Sequence, residues 1–66
     1  MWTVIYLVKS KESALSMKAL LEKNKILCNM RPAVVSNASD SGSYIELLVP
    51  ETEVSQAHNI LIENGF

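Results

Sequence analysis

Hydrophobic and polar positions divide the 66 residues into three short apolar runs and two longer stretches with a helical period. The clearest run is Tyr44-Ile45-Glu46-Leu47-Leu48-Val49, with Ser41-Gly42-Ser43 before it and Pro50 after it. Turn residues on both sides of a short apolar run mark a strand. Successive side chains of a strand point to opposite faces. Ile45, Leu47 and Val49 therefore share one fully apolar face, and Tyr44, Glu46 and Leu48 share a mixed one. This is the pattern of a sheet covered by helices on one side only.

The first run, Trp2-Thr3-Val4-Ile5-Tyr6-Leu7-Val8, is rich in β-branched and aromatic residues, which suit a strand. Ser10 is the expected N-cap of a helix reaching about Asn24, with Glu12 in its first turn. Ala14, Met17, Leu21 and Asn24 trace one stripe of that helix, widened by Leu20, while Leu15 and Ala19 lie off it. A second strand is expected from Leu27 to Val35. Pro32 lacks a ladder donor and makes it an edge strand. Cys28, Met30 and Val34 share one face of it; Asn29, Arg31 and Ala33 share the other. Ser36-Asn37-Ala38-Ser39-Asp40-Ser41-Gly42-Ser43 is a small, polar hairpin loop. A second helix starts near Glu51 or Thr52 and ends near Asn64, with Val54, Ala57 and Leu61 inward and Ile60 and Ile62 beside them.

The chain also echoes itself. Leu21-Glu22-Lys23-Asn24-Lys25-Ile26 matches Leu61-Ile62-Glu63-Asn64-Gly65-Phe66, and both read as helix ends closed by a left-handed residue. Gly65 takes that conformation freely; Lys25 must tolerate it unless Asn24 does so instead. At the same spacing Ile5 and Leu7 fall on Ile45 and Leu47. The chain is thus two β-α units of one build. The expected fold is α+β: a truncated ferredoxin-like βαββα domain spanning residues 1–66, with an antiparallel sheet of order 1-3-2 and both helices on one face. The alignment turns Ile5 and Leu7 towards the helices and Trp2, Val4, Tyr6 and Val8 towards the open face.

Composition adds constraints. So short a chain buries only about 60% of its unfolded surface, and such domains often lean on disulfides, metals or partners. Cys28 is the single cysteine, so no internal disulfide is available. Net charge is −1, but unevenly spread. Lys9, Lys11, Lys18, Lys23, Lys25 and Arg31 all precede the acids Asp40, Glu46, Glu51, Glu53 and Glu63. The Trp2–Val8 run has neither a basic flank nor a small-residue cleavage site, and is too short for a membrane helix. A soluble, cytoplasmic protein is expected, with no membrane partner.

Catalytic and ligand chemistry is thinly represented. Cys28 is expected to be a small buried hydrophobe rather than half of a Cys28–His58 pair. No metal-ligand spacing and no glycine-rich phosphate loop is present. No catalytic residue, cofactor site or metal site is assigned, and the protein is read as a non-enzyme. Arg31 and Glu46 sit on adjacent strands and one face, where a cross-strand ion pair is expected.

Two surfaces remain unfinished: the outer edge of the first strand, and the open sheet face. The candidate interface residues are Trp2, Val4, Tyr6, Val8, Tyr44 and Leu48, bordered by Arg31 and Glu46. A homodimer using one or both surfaces is expected; a monomer with an apolar open face is the plainer alternative. The rival class is single-stranded RNA binding through Tyr6 and Tyr44 on the same face. One arginine on that face and an isoelectric point near 5.7 weigh against it.

Further residues carry a family likeness. Trp2-Thr3-Val4-Ile5-Tyr6, Leu20-Leu21-Glu22, Arg31-Pro32, Asp40-Ser41-Gly42, Glu46-Leu47-Leu48-Val49-Pro50-Glu51 and Ala57 resemble a small bacterial family labelled prokaryotic signal-transducing protein. The resemblance implies a fold similar to the PII nitrogen-regulatory proteins, whose functional loop lies between the second and third strands. From the unfinished surfaces, the expected function is a non-enzymatic interaction or regulatory module that binds itself and another protein or a small effector. The loop here is shorter and lacks glycine-rich nucleotide contacts, so no residue is assigned to nucleotide binding.

Overall fold

The computed structural model describes residues 1–33 and 44–66. The hairpin loop expected at residues 36–43, and Val34 and Val35 of the second strand, lie outside them. The order of elements is β1 (Trp2–Val8), α1 (Lys11–Lys23), β2 (Asn29–Ala33), β3 (Tyr44–Pro50), a 3-10 turn (Glu51–Glu53) and α2 (Val54–Glu63). The sheet is antiparallel with order β1-β3-β2, the expected truncated ferredoxin-like arrangement. Pro32 does lie on an edge strand. The β2 strand starts two residues later than its pattern suggested, and Leu27 ahead of it is largely exposed.

Helix ends follow local chemistry. The Ser10 hydroxyl oxygen accepts from the Ser13 amide at 3.2 Å, which caps α1. At its other end the Lys25 amide donates to the Glu22 carbonyl and the Ile26 amide to the Leu21 carbonyl, at 3.0 and 2.9 Å. This pair of bonds closes a helix through one left-handed residue, which is Lys25 at φ 65°. The end of α2 repeats it: Gly65 donates to Ile62 at 3.1 Å and Phe66 to Leu61 at 2.9 Å, with Gly65 at φ 85°. Even the side chains agree, since Asn24 Nδ2 donates to the Leu20 carbonyl and Asn64 Nδ2 to the Ile60 carbonyl. The internal echo is therefore structural at both helix ends.

The core lies between the helices and one sheet face. Ala14, Met17 and Leu21 of α1 meet Ala57 and Leu61 of α2 over Leu47 and Val49, with Ile26 and Cys28 at the margin. Leu21, Ile26, Leu47, Leu61 and Val49 are the largest fully buried side chains. Each contributes roughly 1.5–3 kcal/mol relative to exposure. Leu15 and Ile62 are exposed on the helices' outer surfaces.

One expectation fails in β1. Trp2, Thr3 and Val4 pair with Pro50, Val49 and Leu48, but the next pairs are Tyr6 with Leu47, Leu7 with Glu46 and Val8 with Ile45. The register shifts between Val4 and Tyr6, which leaves Ile5 as the extra residue of a β-bulge. An extra residue reverses the two-residue alternation beyond it. Tyr6 and Val8 therefore face the helices and pack against the core, and Leu7 points outward, 49% exposed. Trp2 and Val4 keep the expected face.

Candidate interaction surface on the open sheet face

Register defines the face turned away from the helices. β1 contributes Trp2, Val4 and Leu7; β3 contributes Tyr44, Glu46, Leu48 and Pro50; β2 contributes Asn29, Arg31 and Ala33. No helix of the described residues packs there, because the helical core residues all meet Leu47 and Val49 on the other side. The apolar exposure is lopsided. Trp2 and Val4 are 44% and 41% exposed, similar to Leu7, whereas Leu48 on the central strand is only 6% exposed. Leu48 is flanked in register by Val4 and Asn29, so its neighbours shield it. The accessible apolar surface is thus a strip along β1.

The opposite side of the face is polar. Arg31 and Glu46 are direct register partners, and Arg31 Nε donates to Glu46 Oε1 at 2.7 Å. The expected cross-strand pair is present. Its arginine is well exposed, so water screens it and the pair contributes at most about 1 kcal/mol. At the far end of β1, the Lys9 ammonium lies 5.5 Å from the centre of the Tyr44 ring, within cation–π range.

Of the eight residues assigned to this surface from sequence, six are on it: Trp2, Val4, Arg31, Tyr44, Glu46 and Leu48. Tyr6 and Val8 are corrected to the core side by the bulge, and Leu7 replaces them. The signal for Leu7 was hidden, because every residue from Val4 to Val8 is apolar and the alternation has no polar marker. Tyr6 instead meets His58 of α2 edge to face, with ring centres 6.4 Å apart. Tyr6 and Tyr44 consequently lie on opposite faces and do not form a shared stacking platform.

The reactive side chains have structural surroundings. Cys28 is 4% exposed, and burial pushes its thiol pKa up, which favours the unreactive protonated form. His58 is engaged by Tyr6. Among the described residues, no three His, Cys, Asp or Glu side chains gather where a metal ion could be held. A shallow cleft of about 280 Å³ lies between the start of α1 and β2, lined by Lys11, Met30, Arg31, Pro32 and Ile45. No helix among the described residues is long and apolar enough to cross a membrane.

Comparison of the chain with protein-family models, with curated proteins and with solved structures finds no match. The likeness to the signal-transducing family therefore rests on the quoted residues alone.

Proposed function

We propose that the protein is a small, non-enzymatic interaction module of the cytoplasm that works by binding through its open sheet face, first of all to itself. One observation carries this reading: three large apolar side chains, Trp2, Val4 and Leu7, stand side by side in water on one edge strand. Exposed apolar residues scattered singly need no explanation, but a contiguous row on a sheet face marks an interface. A domain of this size also benefits from a partner that enlarges its buried area. The buried, protonated Cys28 suits a reducing compartment. The resemblance to signal-transducing modules supports regulation by binding rather than by turnover.

Single-stranded RNA binding fits the arrangement less well, since the two tyrosines it would use are on opposite faces and Arg31 is already paired with Glu46. Sedimentation equilibrium over a wide concentration range tests the proposal. Self-association predicts an average mass that rises with concentration; a constant monomer mass up to millimolar protein contradicts it.

A further inference from the structure

We draw no further inference here: the strongest candidate, the apolar strip of Trp2, Val4 and Leu7 along β1, belongs to the surface already described, and nothing in the structure shows what covers it.

Discussion

Neighbouring residues with similar side chains do opposite jobs in β1. Tyr6 fills space under α2 and Leu7 stands in water, although both are large and apolar. At the helix ends the same contrast is conformational. Lys25 and Gly65 hold equivalent left-handed positions, but a side chain at such a φ costs roughly 1 kcal/mol. Lys25→Gly is expected to raise stability by up to about 1 kcal/mol, seen as a higher urea midpoint. Gly65→Ala is expected to lower it by a similar amount. The added methyl would meet no atom within 4 Å, so that loss is one of backbone conformation alone. Cys28 gives a pH prediction. Burial raises its pKa in the folded chain above the ordinary value of 9.0. As pH rises through that ordinary value, the unfolded chain releases the proton while the folded chain retains it, so stability falls from there upward. Below that pH the group has no effect. Melting temperatures between pH 8 and 10 are expected to drop more steeply for the wild type than for Cys28→Ala.

At the scale of elements, much was legible because it rests on local chemistry. Ser10 announces the start of α1, Pro32 places β2 at an edge, and Asn24-Lys25 and Asn64-Gly65 announce the helix ends. Ser10→Ala is expected to cost about 1 kcal/mol by circular-dichroism melting, since it removes the acceptor of the Ser13 amide. Arg31→Ala is expected to cost less than about 1 kcal/mol, as suits an exposed pair. What was not legible has a physical reason. A strand of unbroken apolar residues carries no mark of which face each one takes, so the bulge at Ile5 left no trace in the pattern. The internal echo even pointed the wrong way there. It equates Leu7 with Leu47 and so turns it towards the helices, whereas the shifted register sets Leu7 opposite Glu46 on the open face. By sequence the 3-10 turn at Glu51–Glu53 is indistinguishable from a first turn of α2, because nothing in those residues separates the two helix types.

At the scale of the whole molecule, the bulge divides the sheet between two tasks. One face, with Tyr6 and Val8 turned inward, holds the helices; the other keeps Trp2, Val4 and Leu7 in water. Of the candidate surface, the polar side was readable from Arg31 and Glu46, which are marked by their charge. The apolar side was half readable, as far as the bulge and no further. The division can be tested without reference to any partner, in dilute solution where association is negligible. Urea unfolding of Tyr6→Ala and Leu7→Lys, each against the wild type, probes adjacent residues on the two faces. Tyr6→Ala is expected to lose at least about 2 kcal/mol, as for a truncated core aromatic, and Leu7→Lys to remain within about 0.5 kcal/mol. The reverse order of losses would place Leu7 under the helices and contradict the bulge on which the surface depends.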